Sequence, residues 1–567
     1  MRHYPTATTK LLTLILSEGP PILKKILSSE KTLFLGLVAF RATNALIIQT
    51  SFVPDEYWQT LEVAHHMAFG YGHLTWEWKQ GLRSYVYPAV FAVMYKFLAL
   101  VHLDSRILLI KLPRLLQGVM AAVGDLYLYK LSHKLSGSRR VAQWSLLCQL
   151  TSWFMFYCCT RTLGNSVETV LTTVAFYHFP WPRRHRKAQW KYITLVALAI
   201  VVRPTAAIVW LPLVMWHMWM YRSSFWKLTK MFAERGFVVL FLSSLIDRFF
   251  YGQWMNVHYN FLQFNILHDM AGFYGTHPWH WYLSQGFAVI MGTHLFPFLL
   301  AVKHAMEPVL LAVIAWTTFV YSLLGHKEFR FLLPVLPLTM HLCGTYLHYI
   351  TDTCHDDGDG DGDGLSRRPE APQRRRHYSS GVCSWKVFLV ISLVLTNLPI
   401  AMYTSLLHQR GTVDVTRFLH DQGGLETKDR RMSVFFLMPC HSTPYYSYIH
   451  RNISMRFLTC EPNLSRRANY SDEAEVFFWR PDAWLKVKDN FDDVHPPSHL
   501  VMFSVLHTRI STFLDRHNYT DCAKVFHTHV PEGRVSSHVI VSCHETWNRR
   551  KTPRRATFGS SFDRGRH

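Results

Sequence analysis

The stretch LFLGLVAFRATNALIIQTSFVPDEYWQTLE, residues 33–62, joins an apolar run directly to two carboxylates. The run over residues 33–49 is long enough for a membrane-spanning helix, which needs about 20 mostly apolar residues. Asp55 and Glu56 follow at the point where the chain would leave the bilayer, and aromatic residues flank them. Charged groups at a membrane boundary are costly and usually face a bundle interior or a water-filled cavity. The stretch therefore predicts an acidic site at one end of a helix bundle.

The composition of the whole chain is that of a membrane protein. Of its 567 residues, 49% are hydrophobic and only 17% are charged, and the charges cluster between long apolar stretches. The formal net charge of +22 is a value that nucleic-acid-binding proteins also reach. Here much of the positive excess lies in short loops and in the tails, where it fits membrane orientation instead. We therefore predict a polytopic α-helical membrane protein that binds no nucleic acid.

Two basic loops set the orientation of the predicted spans. KLSHKLSGSRR at 130–140 and RRHRK at 183–187 are expected in the cytosol, because short cytosolic loops are rich in Lys and Arg. Both loops would change sides if residues 85–103 crossed the bilayer, so we predict an interfacial or re-entrant segment there. Residues 51–105 then lie wholly on the far side. The eleven predicted spans are 33–50, 106–130, 141–159, 164–181, 190–202, 206–221, 234–251, 286–303, 306–324, 329–350 and 385–407.

Sequons and cysteines indicate that the far side is the lumen of the secretory pathway. Glycosylation of Asn-X-Ser/Thr and stable disulfide formation both occur in that compartment. The four sequons all follow the last predicted span and are Asn452, Asn463, Asn469 and Asn518. The same region contains Cys440, Cys460, Cys522 and Cys543. These cysteines are sufficient for two disulfides in three possible pairings, among which the sequence does not choose.

These features divide the chain into five segments. A cytosolic segment, 1–32, precedes the membrane domain, 33–350, which includes the lumenal loop. A polar linker, 351–383, is expected to be disordered and cytosolic because its composition cannot form a packed core. A last span, 384–407, leads into a lumenal soluble domain, 408–567. Alternating apolar and polar residues in that domain, as in SVFFLMPC and HVIVSCHE, predict a mostly β fold.

Neither a metal ion nor another cofactor is predicted. His65 and His66 are adjacent, but a packed or hydrogen-bonded pair is the simpler explanation, and no HExxH or CxxC pattern is present. The run DDGDGDGDG at 356–364 resembles an EF-hand calcium loop. Counted from Asp357, however, its twelfth position is Arg368 instead of the required Glu.

The ionisable residues assigned to the lumen suit an anionic, lipid-linked substrate. Its phosphate would bind arginine or lysine, and its apolar tail would lie among the spans. Simpler interpretations remain for each group. Asp55 and Glu56 can merely mark the start of a loop. The groups that can instead be structural ion pairs or a helix-end charge cluster are Arg161, Glu168, Arg203 and the string HKEFR at 326–330.

A set of motifs in fixed order resembles a known enzyme family. The motifs are FVPDEYWQTLEVAHHMAFGYGHLTWEW, LRSYVYP, TRTLGNSVET, RPT, DRFFYGQW with NFLQFN, YGTHPWHWY and HKEFRFLLPVLPL, between about residues 50 and 340. Together they resemble the endoplasmic-reticulum mannosyltransferases that use dolichol-phosphate mannose, which form glycosyltransferase family 22. The PDEYWQ version is most similar to the branch that adds the third mannose to the precursor of the glycosylphosphatidylinositol (GPI) anchor.

The resemblance implies a GT-C fold and a catalytic carboxylate residue in the first lumenal loop. That position falls on Asp55, with Glu56 as the second candidate. The family reaction inverts the sugar, so β-linked mannose on the donor becomes α-1,2-linked to the second mannose of the precursor. Dolichol phosphate leaves as a phosphate, so one general base suffices and no second carboxylic acid is required. Cations would stabilise the departing phosphate, and the candidates are Arg161, Arg203, His326, Lys327 and Arg330.

Other interpretations of the same sequence remain open. Lumenal tryptophans can stack on sugar faces or form an interfacial belt, and they are Trp58, Trp76, Trp78, Trp279 and Trp281. A sister enzyme would add α-1,2-mannose to the lipid-linked N-glycan precursor. A transporter or scramblase is disfavoured because no internal repeat is visible. A non-catalytic subunit is disfavoured by the intact PDE and HKEFR strings. The sequence indicates lipid substrates and the bilayer as partners and leaves protein partners undetermined.

Overall fold

The protein is described by a computed structural model over most of its length. Several predicted features lie outside the described residues, namely most of segment 1–32, the basic loop 183–187, most of the linker 351–383 and the sequon at Asn469. The described residues are 29–182, 189–267, 272–273, 275–353, 380–427, 430–464, 470–487, 490–492 and 494–548.

The chain forms two compact units. The first comprises Met1–His408 together with Tyr445–Ser447, and the second comprises Gln409–Pro444 and Tyr448–His567. Helices of the first unit are α1 (Glu30–Ile47), α2 (Glu62–Phe69), α3 (Trp76–Lys79), α4 (Val86–Leu100), α5 (Arg106–Ser136), α6 (Arg139–Thr151), α7 (Trp153–Cys158), α8 (Gly164–His178), α9 (Gln189–Val202), α10 (Ala206–Met220), α11 (Phe225–Tyr251), α12 (Val257–Leu262), α13 (Phe287–Met291), α14 (Leu295–Lys303), α15 (Pro308–Leu323), α16 (Leu336–Thr353) and α17 (Ser380–Leu406). Single π or 3₁₀ turns occupy Tyr57–Leu61, Arg222–Ser224, Gln263–Leu267, Tyr282–Gly286, Gly292–His294 and Phe329–Val335.

Each of the eleven apolar segments lies on one helix or on a short series of helices. Among the described residues, three helical stretches are both long and apolar enough to cross a membrane, namely Arg106–Ser136, Tyr282–Lys303 and Phe388–Gly423. Helix α4 has 15 residues and therefore extends about 22 Å, which is less than the roughly 30 Å of a hydrocarbon core. The predicted interfacial position of this segment remains a prediction.

Helix α1 packs closely against helix α5. A Cβ added at Gly118 of α5 would lie 3.1 Å from the backbone oxygen of Arg41 in α1, so the two helices approach closely there. The buried side chain of Arg41 also pairs with Asp125 of α5 at 2.6 Å. Burying a charge is costly unless a partner compensates it, so this pair fixes the register of the two helices.

The second unit is a mixed α/β domain, which corrects the predicted mostly β fold. Its sheet has the order β2-β1-β3-β5-β4, with β1 parallel to β2 and β3, and β5 antiparallel to β3 and β4. The alternating pattern in the sequence correctly predicted strands β1 and β5. The domain also contains helices, because parallel neighbouring strands need crossover connections, which are usually helical. The strands are β1 (Ser433–Leu437), β2 (Ser454–Phe457), β3 (His499–Phe503), β4 (Tyr519–Phe526) and β5 (His538–His544). The helices are α18 (Gly411–Gly423), α20 (Glu473–Trp479), α21 (Pro481–Leu485), α22 (Ser504–Arg509), α23 (Ser511–Arg516) and α24 (Glu545–Asn548). The residues of α19 (Tyr446–Ile449) are divided between the two units after Ser447.

The second unit contains both disulfides. Of the three possible pairings, the structure has Cys440–Cys460 and Cys522–Cys543. The second of these bonds joins the neighbouring strands β4 and β5. Sequon residues Asn452 and Asn518 are exposed, and Asn463 is half-buried.

Candidate active site

Asp55 and Glu56 begin the helical turn that leads through the π turn into α2. Successive residues of a helix point about 100° apart, because one turn contains 3.6 residues. The two carboxylates therefore face different surroundings. The side chain of Asp55 keeps 23% of its surface exposed, whereas that of Glu56 keeps none.

Glu56 lies at the centre of a buried ion triad. Its Oε1 accepts a hydrogen bond from Nη2 of Arg114 at 2.8 Å, and its Oε2 accepts one from Nη1 of Arg161 at 2.8 Å. Arg161 also donates to the backbone oxygens of Tyr157 and Thr50, at 2.8 and 2.7 Å. Both arginines are almost fully buried. The triad therefore joins the first loop to the helix bundle and leaves neither Glu56 nor Arg161 open to solvent.

Asp55 instead meets the HKEFR string. Nη1 of Arg330 donates to Oδ2 of Asp55 at 2.5 Å. The same guanidinium forms two parallel bonds to Glu328, from Nε at 2.7 Å and from Nη2 at 2.6 Å. Two-point pairing holds an arginine in one orientation. Glu328 therefore orients the guanidinium of Arg330, which in turn binds the carboxylate of Asp55.

The rest of the HKEFR string is fastened to the loop at residues 275–282. His326 contacts the backbone oxygen of Gly275 at 2.9 Å through Nδ1, and Glu328 at 3.1 Å through Nε2. The Lys327 ammonium donates to the backbone oxygen of His277 at 2.8 Å and to that of Leu324. These contacts unite the YGTHPWHWY and HKEFR motifs in one site.

The electrostatics of the string favour a charged network. Burial alone would raise the pKa of Glu328, but the positive charges of Arg330 and His326 outweigh burial and hold that pKa below its ordinary value. The hydrogen bond to Glu328 raises the pKa of His326 against the opposing effect of burial. Glu328 is thus ionised, and His326 holds its proton more firmly than a free imidazole does.

Arg203 lies beside this network. Its Nε is 3.2 Å from Oε2 of Glu168, and its Nη1 donates to Oδ1 of Asn165. Nδ2 of Asn165 donates to the backbone oxygen of Arg330 at 3.2 Å, so one amide side chain contacts both arginines. The guanidinium carbons of Arg203 and Arg330 lie 5.7 and 5.8 Å from the centroid of the Phe331 ring.

The predicted tryptophans differ in exposure. Trp279 is 66% exposed and offers a free ring face. The other four are buried, and each contacts a ring of the protein itself: Trp58 with Tyr445, Trp76 with Phe264, Trp78 with Tyr85 and Trp281 with His277. Sugar stacking requires an accessible face, so Trp279 alone among these five has the necessary surface.

Several site residues were not among the predicted catalytic or phosphate-binding residues. Arg114 neutralises Glu56, Glu328 orients Arg330, and the pair formed by Glu77 and Arg83 lies in the first loop at 2.8 Å separation. The sequence does show the Glu77–Arg83 pair as two opposite charges within the aromatic stretch LTWEWKQGLRSYVYP. Glu328 could have been identified from its position inside HKEFR. Arg114 carried no local signal, because its partner is 58 positions away.

Comparisons with known proteins agree with this architecture. In a crystal structure, ArnT from Cupriavidus metallidurans, bound to undecaprenyl phosphate, has the same fold, with a TM-score of 0.55 and 11% identity, over 90% of this chain and 97% of that chain. This likeness supports the predicted GT-C membrane fold.

Close relatives share most of the chain. It is 46% identical over 521 residues to GPI alpha-1,2-mannosyltransferase 3 of Homo sapiens, covering 91% of this chain and 87% of the relative. The protein of the same name from Danio rerio is 43% identical, covering 95% of this chain and 92% of the relative. The model of the Alg9-like mannosyltransferase family matches residues 32–450. The predicted resemblance is thereby confirmed, and the chain belongs to the Alg9-like mannosyltransferase family.

Proposed function

We propose that this enzyme transfers mannose from dolichol-phosphate mannose to the second mannose of the GPI-anchor precursor, forming an α-1,2 linkage. The name of its relatives, GPI alpha-1,2-mannosyltransferase 3, supports the acceptor and the linkage. The geometric observation that supports the mechanism most directly is the ion pair between Asp55 and Arg330. Asp55 is the partly exposed carboxylate of the PDE string, and Arg330 ends the HKEFR string.

In this mechanism Asp55 is the general base. The 2-hydroxyl of the acceptor mannose attacks C1 of the donor sugar, and the bond from C1 to the phosphate oxygen breaks. Asp55 takes the proton of the hydroxyl, and dolichyl phosphate leaves with the bonding electrons. Attack from the face opposite the phosphate inverts C1. Glu56 is not assigned this role, because its buried oxygens are already held by Arg114 and Arg161.

The leaving phosphate requires positive charge. Preorganised cations stabilise charge that develops in a transition state, and they do so more strongly where water is excluded. Arg330 contacts Asp55, and His326 and Lys327 lie in the same string, so these three residues supply positive charge near the base. Arg203, next to Phe331, adds a further positive charge. Arg161 contributes at longer range, because its donors are directed to the triad and the loop backbone.

The proposal includes a location. We place the enzyme in the endoplasmic-reticulum membrane with Asp55 on the lumenal side. The placement of basic loops supports this orientation. The distribution of the described cysteines also supports a lumenal second unit, because that unit contains both disulfides. The four free cysteines among the described residues are buried in the first unit.

Lipid analysis in cells that lack the endogenous enzyme tests the proposal. Wild-type chain is expected to convert the two-mannose GPI intermediate into the three-mannose species. Asp55→Asn should leave the two-mannose intermediate, because general-base catalysis contributes about 10²–10⁴-fold. Asp482→Asn is a matched control on an exposed position of the second unit and should restore the product fully.

Two results would contradict the proposal. A correctly located Asp55→Asn protein with full activity would exclude Asp55 as the base. Wild-type chain that fails to extend the GPI intermediate, but changes the lipid-linked N-glycan precursors, would favour the sister enzyme.

A further inference from the structure

Arg83 is a cation of the first loop whose guanidinium has hydrogen-bonding capacity left over. Its Nη2 donates to Oε1 of Glu77 at 2.8 Å. Its Nε is buried and has no hydrogen-bond partner among the residues that the structure describes. The side chain as a whole is 27% exposed, so a ligand can reach it. A buried donor without a partner is costly, and a bound ligand oxygen would remove that cost.

Arg83 is also held in place from several directions. The face of its guanidinium lies 5.7 Å from the centroid of the Phe261 ring, and its backbone oxygen accepts a hydrogen bond from the Tyr251 hydroxyl at 2.7 Å. Its partner Glu77 accepts a second bond from Gln59 at 3.3 Å. An arginine that is fixed before binding loses little entropy when a ligand arrives.

The guanidinium lies within electrostatic range of the proposed base. Burial tends to lower the pKa of Arg83, but the negative charges of Glu77 and Asp55 outweigh burial and raise it, while Arg330 opposes them. Arg83 is therefore charged. Its geometric link to the base runs through Glu77, which also accepts a hydrogen bond from Gln59, four residues after Asp55 in the same helical stretch.

The other cations of this site are more fully engaged. Arg330 directs three of its five N–H groups to Glu328 and Asp55, and Lys327 directs two of its three to carbonyl oxygens, whereas Arg83 directs one of five to Glu77. His326 contacts Gly275 through one ring nitrogen and Glu328 through the other. A phosphate that took these donors would have to break contacts that hold the string together, whereas Arg83 needs no such exchange.

We propose that Arg83 binds the phosphate of the lipid-linked donor directly, through N–H groups of its guanidinium that Glu77 does not occupy. This inference rests on the proposed function, since it assigns a ligand to the same site. An ionised guanidinium suits an anionic phosphate oxygen better than a neutral sugar hydroxyl, because the bond is charge-assisted. Glu77 is then a positioning residue, which holds the guanidinium through Nη2.

Binding of dolichyl phosphate to the purified full-length chain tests this directly. Arg83→Ala should weaken binding roughly 10- to 100-fold, the range expected for a charge-assisted hydrogen bond. Arg83→Lys should recover part of that loss, because it keeps the charge but not the guanidinium edge. Neutral dolichol should bind all variants equally. Arg139→Ala, at an exposed position of α6, is the control and should bind dolichyl phosphate as wild type does.

The transfer assay adds a second readout. For Arg83→Lys, the KM for dolichol-phosphate mannose should rise in parallel with the dissociation constant for dolichyl phosphate, while the KM for the acceptor stays unchanged. Unchanged binding of dolichyl phosphate by both variants would overturn the proposal. So would a rise confined to the acceptor KM, which would assign Arg83 to the acceptor. The binding assay uses no acceptor, so it separates this inference from a failure of the proposed function.

Discussion

The guanidinium of Arg330 lies 2.5 Å from the carboxylate of Asp55, across 275 positions of the chain. The contact joins the loop after the first predicted span to the string at the start of the tenth. It also distinguishes Asp55 from its neighbour Glu56, whose partners are buried arginines of the bundle. The position of the base therefore depends on Arg330, and the orientation of Arg330 depends on Glu328.

Arg330→Lys should lower the rate of mannose transfer by about 10- to 100-fold, although it keeps the positive charge. A single ammonium cannot form the two parallel bonds to Glu328 while also holding Asp55. The measurement is the initial transfer rate in membranes with equal amounts of enzyme. Arg139→Lys is the matched control. A wild-type rate for Arg330→Lys would show that the geometry of this contact is unimportant.

Glu56→Gln should destabilise the protein by about 3–5 kcal/mol, because it leaves the buried charges of Arg114 and Arg161 without their counter-ion. Thermal unfolding of the purified protein in detergent measures this change. Asp55→Asn should unfold close to the wild-type temperature, since Asp55 is partly exposed and an amide oxygen can still accept from Arg330. If the two variants were equally stable, the division between a structural Glu56 and a catalytic Asp55 would fail.

His326 should make stability depend on pH above its ordinary pKa of 6.5. The contact with Glu328 raises the pKa of His326 in the folded protein. The stabilisation by the protonated imidazole is therefore complete below 6.5 and is lost as the pH rises through the higher, folded-state pKa. The difference in unfolding temperature between wild type and His326→Gln should shrink as the pH rises above 6.5. A difference that stays constant with pH would refute this. His133→Gln, at an exposed position, is the matched control.

Glu62 should make stability depend on pH in a lower window. Within the first unit, its buried carboxylate accepts hydrogen bonds from the backbone nitrogens of Tyr445 and Ser447, at 2.8 and 3.1 Å, and from the Ser447 hydroxyl at 2.5 Å. Burial raises the pKa of Glu62 from 4.5 to about 7, although these hydrogen bonds oppose the shift. Between these values the folded protein retains a proton that the unfolded chain has released, so stability falls as the pH rises.

Two substitutions separate charge from hydrogen bonding at this position. Glu62→Gln should remove the fall in stability between pH 4.5 and about pH 7, because its amide is neutral throughout. Glu62→Ala should be less stable than either at every pH, since it leaves the donors of Tyr445 and Ser447 unpaired. Unfolding temperatures over this range measure both effects. The same pH dependence in wild type and Glu62→Gln would contradict the assignment.

Much of the helical architecture was predictable because apolar length is a local property. The run at 33–49 became α1, and the run that begins at Arg106 became α5. The second unit was harder to predict. Alternation identified β1 and β5, but the pairing of β1 with β2 and β3 in parallel depends on chain crossovers that no local pattern records.

The sequence by itself determined where charge, cysteine and apolar surface lie along the chain. It therefore placed Asp55 beside a span, grouped His326 to Arg330 in one string and predicted two disulfides. Only the tertiary structure decided which carboxylate is buried, because Glu56 meets Arg114 and Arg161 after 58 and 105 intervening steps of chain. The tertiary structure also decided that Asp55 contacts Arg330 and that the buried Nε of Arg83 lacks a hydrogen-bond partner among the described residues. Ion pairs and hydrogen bonds act over a few ångströms of space, so their partners are set by packing rather than by position in the sequence.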